Sequence, residues 1–129
     1  MTPSALRRDR GRAADRHGRC AEVLCALRLW LMGWSVVERR YGGGRGTGRG
    51  EIDIIARRGR VVAFIEVKAR RSAEEALDSL GDAQRRRLNR AVADYLARHP
   101  EHGDADIRFD IMIVAGGVWP ARLTDAWRP

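Results

Sequence analysis

The sequence predicts an α/β fold in which a mixed central sheet is flanked by helices, in the order α-β-β-β-α-β. Three patterns predict it: helical spacing of apolar residues on both sides of the middle of the chain, two central segments rich in Ile, Val and Phe, and a last apolar segment, IRFDIMIVA. Helical and extended patterns in such an order are typical of layered α/β domains.

The first predicted helix runs from about Ala13 to Gly33, where the glycine is a suitable helix stop. Residues 1–12 are rich in Arg, contain Pro3 and show no periodicity, so we interpret them as a mobile basic arm before a single domain over residues 13–129. The apolar residues of this helix form one stripe and a second beside it: Cys20, Leu24, Leu27 and Leu31, then Ala21, Cys25 and Leu29.

The next segment contains the predicted strands and a glycine-rich loop. Ser35–Tyr41 is a short strand, and GGGRGTGRG at 42–50 is a flexible, positively charged loop. Glu51–Arg57 and Arg60–Arg71 are extended segments separated by Arg58-Gly59, which is a hairpin signal.

The second helical region spans Ser72 to His99. Ser72 with Glu75 makes a capping-box pattern, and Gly81 interrupts the region, so we expect the long helix to begin near Asp82. Its buried face is predicted from the spacing of four residues: Leu88, Val92, Tyr95 and Leu96.

The C-terminal part of the chain predicts a last strand, Ile107–Ala115. The tail WPARLTDAWRP either adds an edge strand or packs Trp119 and Trp127 against the sheet.

Length and composition exclude several classes of protein. The chain has 129 residues and 14.5 kDa, which fits one domain. No apolar stretch approaches the length of a membrane span, and the first residues lack the apolar region of a secretory signal, so we expect a cytoplasmic protein. Cys20 and Cys25, five apart in a helical pattern, favour neither a disulfide framework nor a zinc site.

Positive charge is concentrated in the first part of the chain. The first 60 residues contain 14 Arg and 6 acidic residues, a net charge of +8, whereas the remaining 69 contain 11 basic and 11 acidic residues. This asymmetry favours a polyanionic partner, of which nucleic acid is the commonest, although basic surfaces also serve solubility. Of the 25 basic residues only Lys68 is a lysine, which indicates a role that guanidinium cannot take.

Asp53, Glu66 and Lys68 all lie in the predicted hairpin. If the turn is centred on Arg58-Gly59, Asp53 lies opposite Phe64 and diagonal to Glu66, and all these side chains share one face of the sheet. A three-residue loop would reverse that arrangement.

Two carboxylates at that spacing are the hard oxygen ligands that Mg²⁺ or Mn²⁺ prefers. A nearby ammonium group could orient an attacking water and stabilise charge that develops on a phosphate. The alternative is that Glu66 and Lys68 form the solvated face of an edge strand. The acidic pair together with the lone lysine favours the functional interpretation.

Two helical residues are further candidates. Glu22 lies on the flank of the apolar stripe, where it could reach a metal as an outer or second-metal ligand or could lie at the rim of the core. Gln84 begins QRRRLNR and could contact water or a phosphate. The three histidines show no metal-ligand spacing, and we expect them at the surface.

Arginines in three segments are the expected contacts to a nucleic-acid backbone, although those on the helix could equally form a solvated face. The glycine-rich loop lacks the Gly-Lys-Ser/Thr ending of a nucleotide-binding loop, so we reject nucleotide binding and expect a backbone clamp on DNA. The expected contacts are Arg45, Arg49, Arg70, Arg71, Arg85 and Arg86.

GEIDIIARRGRVVAFIEVKARRS at 50–72 strongly resembles the YraN-like family of bacterial proteins. The resemblance extends to Glu22, to Gln84 and to Arg108-Phe109-Asp110, and it covers about residues 13–125. That family is similar to the PD-(D/E)xK nuclease superfamily, which has a restriction-endonuclease-like core and includes archaeal Holliday-junction resolvases.

The resemblance implies a role for each matched residue. Asp53, Glu66 and Lys68 take the catalytic positions, Glu22 is the helical acid and Gln84 the accessory glutamine. Asp53, Glu66 and Glu22 would hold Mg²⁺ or Mn²⁺.

We therefore expect a metal-dependent nuclease that acts on DNA, at branched, nicked or single-stranded structures. The alternatives are a non-catalytic nucleic-acid-binding adaptor and an interaction subunit of a DNA-processing complex, with Trp119 and Trp127 at its docking surface. A homodimer and a DNA-processing protein partner are further candidate associations.

Overall fold

The computed structural model describes residues 21–42, 50–70, 72–114 and 120–123. The predicted arm over residues 1–12 lies outside the described residues, as do most of the glycine-rich loop and both Trp119 and Trp127.

The described part of the chain forms a mixed five-stranded sheet with the order β1-β2-β3-β4-β5. All neighbouring strands are antiparallel except β3 and β4, which are parallel and are joined through helices. The strands are β1 (Ser35–Gly42), β2 (Glu51–Arg58), β3 (Val61–Lys68), β4 (Asp106–Ile113) and β5 (Ala121–Leu123). The predicted α/β class with a mixed sheet is confirmed, and the tail does provide an edge strand.

In the described part of the chain, three α-helices flank the sheet, and a short 3-10 helix (Pro100–His102) follows the last of them. Residues 21–31 are helical (α1), and α2 (Ala73–Asp78) and α3 (Asp82–Arg98) lie between β3 and β4. The N-cap of α2 is Ser72, whose hydroxyl accepts a hydrogen bond from the Glu75 backbone N–H at 3.1 Å. The break at Gly81 separates α2 from α3, as the sequence predicts.

Apolar side chains cover both faces of the sheet. One cluster packs α2 and α3 against the sheet and includes Phe64, Leu88 and Tyr95. The other packs α1 against the opposite face and includes Cys25, Leu29 and Ile65. Burial on both faces explains why β3 is a nearly continuous apolar segment rather than an alternating one.

Of the two apolar stripes of α1, the structure buries the second. Ala21, Cys25 and Leu29 are at most 3% exposed, whereas Leu27 and Leu31 are 44% and 60% exposed. The exposed large apolar residues in the described part of the chain all lie on α1, on the turn after it or on β1: Val23, Leu27, Trp30, Leu31, Met32 and Val37. These six residues are called the α1 patch below.

The hairpin turn is centred one residue later than the sequence analysis expects. Arg58 pairs with Val61 and Ile54 with Ile65, so the turn residues are Gly59 and Arg60. Gly59 has a φ of +59°, the conformation that a mirror-image hairpin turn requires at its first position and that glycine adopts without strain. The predicted pairing of Asp53 with Phe64 is therefore wrong: Phe64 pairs with Ile55, and Asp53 lies just beyond the last strand pair, Ile54 with Ile65.

One histidine is also placed differently from the prediction. His102 is 6% exposed, and its ring contacts Arg57 Nη1 at 2.6 Å and the Tyr95 hydroxyl at 3.1 Å. Burial beside the guanidinium lowers the pKa of His102, which favours a neutral ring.

None of the helices in the described residues is long and apolar enough to cross a membrane.

Candidate metal centre

Asp53 lies where side chains of β2 stop alternating between the two faces of the sheet. Ile52 and Ile55 both contact the α3 side of the sheet, although they are three residues apart, whereas Ile54 faces α1. At this break the Asp53 carboxylate accepts a hydrogen bond from the Val67 backbone N–H at 2.8 Å. The side chain thus takes the place of a strand-to-strand hydrogen bond, which fixes the carboxylate between β2 and β3.

Glu66 faces α3 and is 7% exposed. Its Oε1 contacts Lys68 Nζ at 3.3 Å and accepts a hydrogen bond from Gln84 Nε2 at 3.4 Å. Its Oε2 is buried and has no hydrogen-bond partner among the described residues. An ionised oxygen without a partner is costly to bury, so this atom marks a position where a ligand of positive charge would be stabilised.

Glu22, Glu51 and Asp53 form a second group of carboxylates. One ligand oxygen from each lies within 4.8 Å of the others. Glu22 comes from α1 and is buried at 6% exposure, whereas Glu51 begins β2 and is exposed. The structure therefore brings the predicted acids Glu22 and Asp53 together, and Glu66 on the neighbouring strand is close enough for its charge to act on Asp53.

Glu51 is a candidate ligand that the sequence analysis missed. The available signal was its position in the sequence, two residues before Asp53 on the same predicted strand.

Glu22 is held by two arginines that are adjacent in sequence. Arg40 Nε donates to Glu22 Oε2 at 2.9 Å, and Arg39 Nη2 donates to the same oxygen at 3.3 Å. Both guanidiniums are about 40% exposed at their side chains, whereas the Glu22 side chain is 8% exposed. Glu22 is therefore a buried acid at the rim of the core, paired with surface arginines and close to Asp53.

The pKa values of Asp53 and Glu66 are both raised by burial. For Asp53, burial is the largest cause and the neighbouring charge of Glu66 adds to it, which raises its pKa from 3.8 to about 8. For Glu66, burial raises the pKa and the ammonium of Lys68 opposes the shift. Two like charges that are kept from water share a proton more readily than they ionise together, unless a cation joins them.

The donor set fits a hard divalent cation. Three carboxylates, those of Glu22, Glu51 and Glu66, lie near that of Asp53. One Glu66 oxygen is buried without a partner among the described residues, and these four residues offer neither sulfur nor imidazole. Oxygen ligands of this kind suit Mg²⁺ or Mn²⁺.

The arginines predicted to contact nucleic acid are only partly described. Arg70 is exposed, and its Nη1 donates to the carbonyl of Ala69 at 3.0 Å. On the first turns of α3, Arg86 is exposed, whereas Arg85 is half-buried and its Nε has no partner among the described residues. The remaining predicted contacts, Arg45, Arg49 and Arg71, lie outside the described residues.

The comparison with protein families places this site in a known group. Residues 21–114, which contain every described residue of the acidic site, match the family described as "Uncharacterised protein family UPF0102". The chain belongs to the UPF0102 family. The predicted membership in the YraN-like family is thereby confirmed.

Bacterial UPF0102 proteins match the chain over nearly its whole length. UPF0102 protein amb4503 of Paramagnetospirillum magneticum is 47% identical over 116 residues, which is 90% of each chain. The UPF0102 protein of Parvibaculum lavamentivorans is 47% identical over 92% of this chain and 86% of its own length. The UPF0102 protein of Caulobacter vibrioides is 40% identical over 96% of each chain.

Proposed function

We propose that this UPF0102 protein is a metal-dependent nuclease that hydrolyses phosphodiesters in DNA, at branched, nicked or single-stranded structures. The observation that carries the proposal is the pair of the half-buried Asp53 and the buried Glu66 on the neighbouring strands β2 and β3. Lys68 lies beside Glu66, and one buried Glu66 oxygen has no partner among the described residues. The resemblance of GEID…EVK to the PD-(D/E)xK motif supports the same chemistry.

Asp53 and Glu66, together with Glu22, are the residues that would hold the cation. When bound, Mg²⁺ or Mn²⁺ neutralises phosphate charge and makes hydroxide available at neutral pH. The hydrogen bond from Val67 keeps the Asp53 carboxylate in place, and Glu66, which Gln84 of α3 contacts, is only 7% exposed.

Lys68 is the residue proposed to orient the attacking water. Its ammonium lies 3.3 Å from Glu66 and its side chain is 12% exposed, so it is held at the site yet open to solvent on one side. An ammonium there donates to water and stabilises negative charge that develops on the phosphate. Gln84, through its contact with the same Glu66 oxygen, positions the carboxylate from the α3 side.

The arginines around the site are suited to phosphate rather than to bases. Arg70 lies two residues after Lys68, and Arg86 is exposed on α3. Guanidinium contacts to phosphate position a duplex without reading its sequence, so we propose recognition of DNA structure rather than of base sequence.

Cleavage by the Lys68→Ala variant tests this function. Purified proteins would be incubated with branched, nicked, flapped, single-stranded and duplex DNA in Mg²⁺, Mn²⁺ or chelator. We expect metal-dependent cutting by the native protein and a loss of about 100-fold or more in Lys68→Ala and Asp53→Asn, because each loses a group that acts on the reacting phosphate or its cation.

The control is Asp78→Asn, the same kind of substitution as Asp53→Asn at an exposed position of α2. DNA binding should be retained by Lys68→Ala. Cutting at native rates by both site variants, or cutting that persists in chelator, would contradict the proposed mechanism.

A second candidate function is favoured by the α1 patch. An unusually apolar helix face such as that of Val23, Leu27 and Trp30 is common at protein–protein contacts. A non-catalytic adaptor or interaction subunit would bind DNA or a protein partner without any cutting on the same panel, and its DNA binding would not respond to Lys68→Ala.

A further inference from the structure

Arg39 and Arg40 hold one oxygen of Glu22 in a way that a regular strand does not allow. Successive side chains on a strand point to opposite faces, yet both guanidiniums donate to Glu22 Oε2. The reason is the backbone of Arg40, whose φ is +54°, the one positive φ of a non-glycine residue in the described chain. A bulky residue in this conformation is strained, and such strain persists where the surroundings enforce it, commonly at functional sites.

The register places this pair next to the candidate metal centre. Arg39 pairs with Ile54 and Tyr41 with Ile52, so Arg40 is level with Asp53 on the neighbouring strand. Glu22, the acid that the two arginines hold, also has a carboxylate oxygen within 4.8 Å of ligand oxygens of Asp53 and Glu51. Glu22 therefore has two competing kinds of cationic partner: the guanidiniums and a metal ion.

From this competition we infer that Arg39 and Arg40 bind a phosphate of the DNA backbone beside the metal centre, and that Glu22 holds them in position until cation and DNA arrive. The inference rests on the proposed function. Guanidinium matches the geometry of phosphate as well as that of carboxylate, and both side chains keep about two-fifths of their surface in solvent. A divalent cation that binds Glu22 neutralises its negative charge, so the attraction between this carboxylate and the arginines falls. A phosphate can then replace the carboxylate as the partner of the arginines.

The salt dependence of DNA binding gives the direct test. Binding of a fluorescent branched DNA would be measured by anisotropy over a range of KCl concentrations, with Ca²⁺ as a cation that supports binding without cutting. Log affinity falls as log salt concentration rises, and each lost phosphate contact makes this dependence shallower by about 0.9. We expect a drop of that size for Arg39→Gln and for Arg40→Asn, and about twice that drop for the double variant.

The substitutions are chosen to keep the fold. Asparagine tolerates a positive φ, so Arg40→Asn removes the guanidinium without a new backbone strain. The control is Arg98→Gln, which removes an arginine whose side chain is 67% exposed and whose partner, Asp94, lies on α3; its slope should be that of the native protein.

A pair of acid variants tests the competition itself. Glu22→Gln and Glu51→Gln each remove one negative charge from the same cluster, but only Glu22 bonds the arginines. Without divalent cation, Glu22→Gln should bind DNA at least about threefold more tightly than Glu51→Gln does, because it also releases two phosphate-binding groups.

The outcomes separate the two proposals. If the native protein binds no DNA under any of these conditions, the proposed function and the inference both fail. If the native protein binds DNA but the arginine variants keep the native slope, or Glu22→Gln and Glu51→Gln bind equally, the inference is overturned while the proposed function stands.

Discussion

Glu66 is buried and Asp53 is half-buried, so the pKa of each carboxyl group depends on its surroundings in the fold. The raised pKa of each arises mainly from burial, and at Asp53 the neighbouring charge of Glu66 adds to it. A fold that keeps two such groups side by side loses stability when both are ionised. In our account this loss is offset when a divalent cation binds.

The stability of the metal-free protein should therefore depend on pH through Asp53. In the unfolded chain Asp53 has its ordinary pKa of 3.8, whereas in the folded chain the pKa is about 8, so the folded state holds a proton that the unfolded state releases. The stability from this group is complete below pH 3.8 and is lost as pH rises towards 8. In chelator, we expect Asp53→Asn to melt several degrees above the native protein at pH 8 and to show a much smaller decrease between pH 5 and pH 8.

Thermal melting followed by circular dichroism measures this effect, with Asp78→Asn as the control for the general effect of pH. A native protein whose melting temperature falls no more steeply than that of Asp53→Asn over this range would contradict the raised pKa.

At the scale of elements, the site depends on how the end of β1 and the start of β2 approach α3. Gly42 has a φ of +83°, and a Cβ placed on it would lie 2.9 Å from the Gly50 carbonyl oxygen and 3.3 Å from the Ala91 Cβ. The Gly50 backbone N–H donates to the Arg87 carbonyl at 3.0 Å, which ties the start of β2 to α3. These contacts hold β2, and with it Glu51 and Asp53, beside the helix that carries Gln84.

Gly42→Ala should destabilise the protein by about 1–3 kcal/mol, because alanine is strained at positive φ and its methyl group would collide with backbone. The matched control is Gly81→Ala at the N-cap of α3, where φ is −72° and a Cβ would meet nothing within 4 Å. Urea unfolding measures both changes. Equal stability of the two variants would show that the close approach at Gly42 contributes nothing to the free energy of unfolding.

The elements and most of their bounds follow from the sequence, because periodicity, the Ser72 cap and the break at Gly81 are local signals. The sequence also predicts correctly that Asp53, Glu66 and Lys68 lie in one hairpin. The register does not follow as easily, since a shift of the turn centre by one residue makes Ile55, and not Asp53, the partner of Phe64. Glycine at the first turn position was the signal that could have fixed it.

Other features of the site depend on contacts between distant segments and could not be predicted from local patterns. The pairing of Glu22 with Arg39 and Arg40 joins α1 to β1 through a backbone conformation that arginine rarely adopts. Burial of His102 depends on Tyr95 and Arg57, which come from α3 and β2. Of the two stripes on α1, only packing against the sheet decides which one is buried.

At the scale of the whole molecule, a chain with a net charge of +8 contains a local cluster of three acids, Glu22, Glu51 and Asp53, and Glu66 lies near Asp53. A positive molecule attracts polyanions at long range, whereas an acidic cluster attracts small cations at short range. Both properties together are those required of a protein that brings a divalent cation to a phosphate backbone.

Titration of Mn²⁺ into the metal-free protein tests most directly whether Asp53 and Glu66 were brought together to hold a cation. We expect saturable binding in calorimetry for the native protein and for Asp78→Asn, and at least tenfold weaker binding for Asp53→Asn, which loses the acid shared by both groups of carboxylates. Native protein that takes up no Mn²⁺, or Asp53→Asn that binds Mn²⁺ as tightly as the native protein does, would contradict the account.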